Sequence, residues 1–201
     1  MPRHYSMANR AEATGHTRRR IEAALIRLLG SRPYNGITMV DIAAEADVAV
    51  RTVQRHYRTK DDLLAACARF VEEVVGQEWG KRPTPQSAEE HLRRVVETMF
   101  ALYKEYTAAV WAGYSRSTEV PELRDAFRAG VEVRDARIDE LVARWPDAWA
   151  SDAGHAKRTL VSLTSFPAWR GFTDRSRFTS AEATAEVTDI LCQRLLRPLR
   201  S

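Results

Sequence analysis

The 201-residue chain has only two cysteines, Cys67 and Cys192, and neither lies in a Cys-x-x-Cys pair or another metal-ligand spacing. This shortage excludes a disulfide framework, and we expect both thiols to be reduced and buried, as in cytoplasmic proteins. No apolar run approaches the roughly 18 residues of a membrane helix, and the N-terminus lacks the apolar core of a signal peptide. Neither a membrane span nor export is therefore expected.

The motifs of common enzyme classes are also missing. The sequence contains no glycine-rich phosphate loop and no Gly-x-Ser-x-Gly turn. Its five histidines are scattered, and none follows a glutamate at the Glu-x-x-His spacing from which helical bundles build metal sites. The sequence therefore predicts no catalytic residue, no metal and no cofactor.

Strand-like alternation and internal repeats are absent, whereas helical periodicity covers nearly the whole chain. The predicted fold class is all-α, with about nine helices. Charge is unevenly distributed: residues 1–60 hold eleven Lys and Arg against five Asp and Glu, while residues 61–201 hold twenty against twenty-two. The positive excess therefore lies in the N-terminal part of the chain, as a module that binds phosphates requires.

Residues 38–64 have the pattern of two short helices joined by a tight turn and followed by a third, capped helix. Thr38 and Asp41 have the spacing of a capping box, which marks the start of the first helix. One apolar face follows at positions i, i+3, i+4 and i+7, formed by Met39, Ile42, Ala43 and Ala46. This layout is that of a helix-turn-helix DNA reader.

The second helix of this motif has two different faces. Ala49, Val53 and Tyr57 share an apolar face, and the opposite face, which suits a DNA groove, carries Val50, Arg51, Gln54 and Arg55. A second capping box at residues 59–62 then places Lys60 at a positive helix terminus that suits a phosphate.

These residues resemble the DNA-binding domain of the TetR family of transcriptional repressors. In that family a first helix, here from about Thr17 to Gly30, precedes a second helix that begins at a threonine. A recognition helix that ends in an aromatic pair follows, and then a lysine caps the fourth helix. His56-Tyr57 and Lys60 occupy those places. The resemblance covers about a quarter of the chain by specific residues and the rest by helical layout.

Three positions depart from the family pattern. Asp47 replaces the usual turn glycine, but Asp tolerates a left-handed backbone, so we expect the turn to be kept. Ala49 replaces a serine that caps the recognition helix, at a cost of about 1 kcal/mol in local stability. Gln54 replaces a tyrosine, and its amide can pair with adenine through two hydrogen bonds.

The resemblance implies which residues contact DNA. Arg51 and Gln54 would read base edges, and Val50 would contact a thymine methyl group. Phosphates would be held by Thr38, Thr52, Arg55, His56 and Lys60. For the run Arg18 to Arg20 at the start of the first helix, a solvated surface and contact with the DNA backbone are equally compatible with the sequence. Tyr34 is expected to be a core residue.

The sequence also predicts a division into segments. Residues 1–16 would form a flexible arm, residues 17–63 the helix-turn-helix domain, and residues 64–201 a helical domain for ligand binding and dimerisation. In this last domain we expect a helix from Lys60 to about Val75, a linker over residues 76–86, and a long helix from Ser87 towards Tyr114. Later helices would start at Pro121, near Asp152 with an interruption at Pro167, and at Thr179.

In the TetR family the C-terminal half is a bundle with a small-molecule pocket, and its last two helices pair with those of a second subunit. The resemblance therefore implies a pocket lined by aromatic side chains, of which this chain has a surplus: Phe100, Tyr103, Trp111, Tyr114, Phe127, Phe166 and Trp169. It also implies a dimer interface that includes Leu160, Val187, Ile190, Leu191 and Leu195.

The function expected on these grounds is a homodimeric, cytoplasmic repressor that binds a palindromic DNA operator and is released by a small, largely hydrophobic effector. One alternative is a ligand-independent, chromosome-associated structural protein whose C-terminal bundle is solid. A helical enzyme with an incidentally basic N-terminus is a second alternative, and it would need a cavity with converging titratable groups.

Overall fold

A computed structural model describes the backbone of residues 3–198 and the side chains of residues 12–70, 73, 76, 77 and 79–198. Within that range the protein is all-α, as predicted, with ten α-helices and no strand. The helices are α1 (Arg3–Leu29), α2 (Met39–Glu45), α3 (Val50–His56), α4 (Lys60–Lys81), α5 (Ala88–Glu105), α6 (Thr107–Arg116), α7 (Pro121–Arg144), α8 (Ala153–Leu163), α9 (Phe166–Arg170) and α10 (Ser180–Leu195). Two 3-10 turns, Tyr34–Gly36 and Pro146–Ala148, and a π turn, Gly171–Arg175, complete the list.

The chain forms two compact units. The first unit comprises the residues up to Val71 together with Thr107–Arg128, and the second comprises Glu72–Tyr106 and the residues from Ala129 onward. This division differs from a single boundary after residue 63, because α6 and the first turns of α7 pack with the helices of the DNA-binding motif. The apolar side chains of α1 are buried in the core of this first unit: Ile21, Ala24, Leu25, Leu28 and Leu29.

Two helices are longer than their sequence signals predict. Helix α1 begins at Arg3, so the segment expected to be a flexible arm is helical from residue 3. Residues 3–17 contain no proline to prevent this. Helix α4 continues through Gly76 and Gly80, and the predicted linker at residues 76–86 is therefore mostly helical. Interior glycines cost about 1 kcal/mol each, and the helix ends two residues before Pro83, as expected ahead of a proline.

Two helices are shorter than predicted. The long helix from Ser87 ends at Glu105, and Tyr106 leaves helical geometry before α6 begins, although no glycine or proline marks this position. Pro167 does not interrupt a helix but starts one: the Ser165 side chain caps α9, and Pro167 lies in its first turn, where it removes no helical hydrogen bond.

A single glycine fixes how closely α6 and α7 approach within the first unit. Gly113 of α6 is buried, and a Cβ atom at this position would overlap the ring of Phe127 on α7. Helix α6 can therefore pack against the Phe127 ring only because residue 113 lacks a side chain.

Within the second unit, α10 packs against α5 and α8. Its apolar stripe, with Leu160 of α8, was expected to form a dimer interface, but four of the five predicted residues are completely buried inside this one protomer: Leu160, Val187, Leu191 and Leu195. These four side chains form the core of the unit and are not available to a partner. Ile190, the fifth, is 38% exposed.

The C-terminal end of α10 is held by Trp149, one of the largest fully buried side chains. The Trp149 indole donates a hydrogen bond to the Val142 carbonyl over 3.3 Å, and backbone hydrogen bonds of 2.8 Å join Ala150 to Leu195 and Arg197 to Ala148. Among the described residues, none of the helices is both long enough and apolar enough to cross a lipid bilayer.

Candidate DNA-binding surface and aromatic clusters

Helix α2 begins with the predicted capping box. The Thr38 hydroxyl accepts a hydrogen bond from the Asp41 backbone N–H over 3.2 Å and donates one to Asp41 Oδ2 over 2.6 Å. Hydrogen bonds from Thr38, with a smaller contribution from Arg32, lower the pKa of Asp41 to about 2. Thr38 was predicted to contact a phosphate, and its hydroxyl already serves this cap.

The turn between α2 and α3 depends on Asp47, which has a φ angle of 51°. The expectation that Asp47 takes a left-handed backbone conformation is confirmed. Arg20 of α1 reinforces the turn, because its Nη2 donates to the Ala46 carbonyl over 2.7 Å and to the Asp47 carbonyl and carboxylate over 3.1 and 3.2 Å. Arg20 therefore stabilises the turn that sets the orientation of α3.

Helix α3 presents the two predicted faces except at two positions: Ala49 is exposed, and Val50 is partly buried against the core. Ala49 precedes the helix without a side-chain cap, and Val53 is fully buried. On the opposite face Arg51, Gln54 and Arg55 are exposed, whereas Val50 and Thr52 are partly exposed. This face offers two guanidinium groups and one amide, which are the groups that read base edges and bind phosphates.

The C-terminal end of α3 is fixed to α1 by a partly buried network. The Tyr57 hydroxyl donates a hydrogen bond to Glu22 Oε1, and Arg18 Nε donates to both the Tyr57 oxygen, over 3.0 Å, and Glu22 Oε1, over 3.1 Å. Burial raises the pKa of Tyr57, so its hydroxyl remains a donor. Glu22 is only 6% exposed, and no sequence motif singled it out.

Lys60 lies at the start of α4, but its ammonium group forms hydrogen bonds within the first unit. Lys60 Nζ donates hydrogen bonds to the carbonyls of Tyr34 and Ile37, both over 2.6 Å, and lies 4.1 Å from the centre of the Tyr34 ring. Burial lowers the pKa of Lys60. An ammonium has three N–H donors, so a phosphate at this position would have at most one left.

His56 was predicted to hold a phosphate, but its surroundings do not favour a cationic side chain. Its Nε2 is buried and has no hydrogen-bond partner among the described residues, and burial, followed by the charges of Arg55 and Arg18, lowers its pKa. The lowered pKa favours the uncharged form of the imidazole. The exposed positive charges on the outward face of α3 are those of Arg51 and Arg55.

Tyr34 is a core residue, as expected, and it joins a second network that the sequence did not indicate. The Tyr34 hydroxyl donates to Asp61 Oδ1 over 2.5 Å, and Arg116 of α6 binds both Asp61 oxygens over 3.2 Å. Within the first unit, a bidentate ion pair thus joins the start of α4 to α6.

The seven aromatic residues predicted to line one pocket are divided between the two units. In the second unit the Tyr103 ring centre lies 5.3 Å from that of Phe166, 6.0 Å from that of Trp169 and 6.3 Å from that of Phe100. In the first unit the ring centre of Tyr114 lies 6.2 Å from the ring centres of both Trp111 and Phe127. The sequence predicted the rings but not their division, because it does not show which helices share a unit.

The polar tips of the second-unit cluster have partners. The Tyr103 hydroxyl donates to the Thr164 carbonyl over 3.1 Å, and the Trp169 indole donates to the Ser180 hydroxyl over 3.4 Å. Trp169, Phe166 and Phe100 are almost completely buried. No group of three or more His, Cys, Asp or Glu side chains placed to hold a metal ion occurs among the described residues.

Known proteins share this architecture. The family model for bacterial regulatory proteins of the tetR family matches residues 21–67. The HTH-type transcriptional repressor LfrR of Mycolicibacterium smegmatis is 32% identical over 151 residues, which span 69% of this chain and 73% of that protein.

Solved structures with lower sequence identity show the same fold. A transcriptional regulator from Saccharomonospora viridis in complex with choline has a TM-score of 0.76 at 19% identity, covering 92% of this chain and 100% of that one. The regulator FadR from Bacillus subtilis in complex with stearoyl-CoA has a TM-score of 0.58 at 15% identity, covering 86% and 96%. Together with the identity and coverage of the repressor LfrR and the match to the helix-turn-helix segment, these findings show that the chain belongs to the TetR family of bacterial transcriptional regulators.

Proposed function

We propose that this chain is a cytoplasmic, homodimeric repressor that binds a palindromic operator and leaves it when a small, largely hydrophobic molecule binds the helical part of the chain. The observation that carries the proposal is the exposed face of α3. Arg51, Gln54 and Arg55 point away from a recognition helix whose opposite side is buried and whose two ends are held by Arg20 and Tyr57. A rigid helix with such a face suits the major groove.

Each residue on this face has a proposed role. Arg51 donates two hydrogen bonds to a guanine, Gln54 pairs with an adenine, and the partly exposed Val50 contacts a thymine methyl group. Arg55 and Thr52 hold phosphates and thereby fix the position of α3 along the groove. Three predicted phosphate contacts are less well supported. Thr38 and Lys60 already form hydrogen bonds within the protein, and the lowered pKa of His56 favours its uncharged form.

A palindromic operator requires two recognition helices about 34–36 Å apart in successive major grooves. We propose that α8 and α10, which pack side by side, pair with the same helices of a second copy through their outward faces. Ile190 is the member of the predicted interface that remains on this outward face. The buried leucines behind it give the face a rigid support.

The proposed effector acts through the ring cluster around Tyr103. Structural relatives of this fold are bound to choline and to stearoyl-CoA, which supports a ligand site in the helical part of this chain as well. The rings of this cluster would supply an apolar lining, which is usual in a small-molecule site. Such a ligand lowers operator affinity only if it binds the DNA-free arrangement of the dimer more tightly than the DNA-bound arrangement. The loss of operator affinity cannot exceed this difference in ligand affinity.

The comparisons favour this regulator over a chromosome-associated structural protein, because the relatives are transcriptional regulators. The direct test is selection of DNA from a random pool by the purified chain, followed by sequencing. We expect a palindrome with half-sites one helical turn apart. A pool that shows no enriched sequence would overturn the proposal of an operator-specific repressor.

The effector site is tested on Trp169. A ligand that binds the folded chain raises its melting temperature, and an effector also releases the operator at the same concentrations. In a screen of small apolar molecules, Trp169→Phe should keep the fold and weaken the response to the effector. A Trp169→Phe variant with an unchanged effector response would place the ligand elsewhere.

A further inference from the structure

The first unit contains an open cleft that none of the proposed roles uses. It lies between the 3-10 turn Tyr34–Gly36 and α6 and has a volume of about 260 Å³. A space of this size is just below the range for drug-sized ligands. It suits a molecule with a single ring.

The apolar part of the cleft combines a flat aromatic surface with small side chains. Trp111 of α6 contributes an indole that is 47% exposed, and Leu29, Ala108 and Ala112 line the space beside it. Exposed tryptophans are uncommon, and an indole beside small apolar side chains provides a surface on which another ring can stack.

The charged part of the cleft is cationic. Arg32 and Arg116 line it, together with Tyr34, Asn35 and Ser115, and no acidic residue is among the lining residues. Each guanidinium already binds one carboxylate: Arg32 Nη1 lies 3.2 Å from Asp41, and Arg116 binds Asp61. A guanidinium has five N–H donors, and the bonds to these carboxylates use one from Arg32 and two from Arg116.

We propose that this cleft binds a small aromatic carboxylate, with the ring against Trp111 and the carboxylate between Arg32 and Arg116. Carboxylates bind guanidinium groups through paired, charge-assisted hydrogen bonds. A neutral ring would gain only the stacking contribution.

The cleft is connected to the DNA-binding motif through residues already described. Arg116 holds Asp61, Asp61 accepts the Tyr34 hydroxyl, and the Tyr34 carbonyl receives Lys60 at the start of α4. A ligand carboxylate shares Arg116 with Asp61, weakens the Arg116–Asp61 pair and therefore acts on the helix that follows α3. We expect occupancy to lower operator affinity, a consequence that rests on the proposed repressor function, whereas the binding itself does not.

The test uses sodium benzoate, which is ionised at pH 7, in calorimetric titrations at constant ionic strength. Benzamide has the same ring without the charge and serves as the matched ligand control. We expect benzoate to bind about tenfold or more tightly than benzamide, the difference that a charge-assisted hydrogen bond supplies. Equal affinity for the two ligands would overturn the proposal.

Protein variants locate the site. Trp111→Ala and Arg32→Gln should each weaken benzoate binding about tenfold, Trp111→Phe should retain it, and Arg128→Gln, an exposed arginine outside the cleft lining, should have no effect. Melting curves verify that the variants are folded. Benzoate binding that Trp111→Ala and Arg32→Gln leave unchanged would assign the ligand to another site and overturn the proposal.

Operator binding is measured separately by fluorescence anisotropy. A chain that binds its operator but not benzoate would overturn this inference and leave the repressor function standing. A chain that binds benzoate in the cleft but selects no operator would support the site and overturn the repressor function. Loss of operator affinity on adding benzoate, abolished in Trp111→Ala, would support both.

Discussion

The Tyr57 hydroxyl, at the C-terminal end of α3, donates a 2.5 Å hydrogen bond to Oε1 of Glu22 in the C-terminal third of α1. Arg18 adds a charged donor to the same carboxylate oxygen. A carboxylate buried to this degree is stable only with such partners. The recognition helix is therefore held at this end by a specific polar contact as well as by apolar packing.

This contact predicts energetic coupling between the two residues. Tyr57→Phe leaves a buried acceptor without one donor, and we expect it to lower the free energy of unfolding by about 1–2 kcal/mol. In a double-mutant cycle with Glu22→Gln, measured by urea denaturation, the coupling energy should be about 1 kcal/mol. The operator affinity should fall without a change in salt dependence, since no phosphate contact is removed. Additive single effects would contradict the coupling.

Base recognition is tested at Arg51. Its guanidinium is exposed on α3, and a bidentate contact with guanine contributes about 1–3 kcal/mol of discrimination. Arg51→Ala should lose this amount on the selected operator and relax the preference at one base pair, measured by anisotropy on operators varied at each position. If affinity falls equally on every sequence, Arg51 is a phosphate contact instead.

The structure separates the roles of Lys60 and Arg55. Lys60→Ala removes the donor of two backbone carbonyls and should lower stability by about 1–3 kcal/mol. Arg55→Ala changes an exposed residue and should leave stability within about 0.5 kcal/mol. It should instead reduce the slope of log K against log salt by about one. A Lys60→Ala variant of unchanged stability would show that the two carbonyl bonds are weak.

The missing cap on α3 predicts a stabilising substitution. Ala49 has the extended backbone of an N-cap residue but no oxygen to accept a hydrogen bond from the first turn. Ala49→Ser should raise the free energy of unfolding by about 0.5–1 kcal/mol. Ala44→Ser, at an exposed position inside α2, is the matched control and should be slightly destabilising. Equal effects of the two substitutions would mean that the hydroxyl introduced at residue 49 forms no cap.

The proposed dimer is tested by two neighbouring residues of α10. Ile190→Glu places a charge on the outward face and should give a folded monomer in sedimentation, with loss of operator binding because the second half-site is no longer linked. Leu191→Glu places a charge in the core of one protomer and should unfold the second unit. A folded Ile190→Glu dimer would move the interface away from this face.

The features that the sequence predicted correctly are local. The capping boxes at Thr38, Thr59 and Thr179 join residues three apart, and all three are present. The left-handed Asp47 and the uncapped Ala49 follow from single residues in a recognisable turn. Such features depend on the chemistry of a few adjacent residues, which a sequence displays directly.

The features that it missed involve residues far apart in the chain. Tyr57 and Glu22 are separated by 35 residues, and Arg116 and Asp61 by 55. No periodicity links such pairs. The apolar stripe of α10 illustrates the same limit, because burial in its own protomer and burial against a partner require the same side chains. Lys60, which was predicted to contact DNA, likewise donates to the distant backbone carbonyls of Tyr34 and Ile37.

The close packing at Gly113 has a consequence for genetics. A reporter gene under the control of the operator becomes constitutively expressed when repression fails. A genetic screen for bacteria with constitutive expression is usually expected to recover substitutions in the recognition helix. Because any side chain at residue 113 must displace Phe127, alleles of this codon should appear in the same screen. They should be recessive and temperature-sensitive, since the loss lies in the amount of folded protein and not in its contacts with DNA.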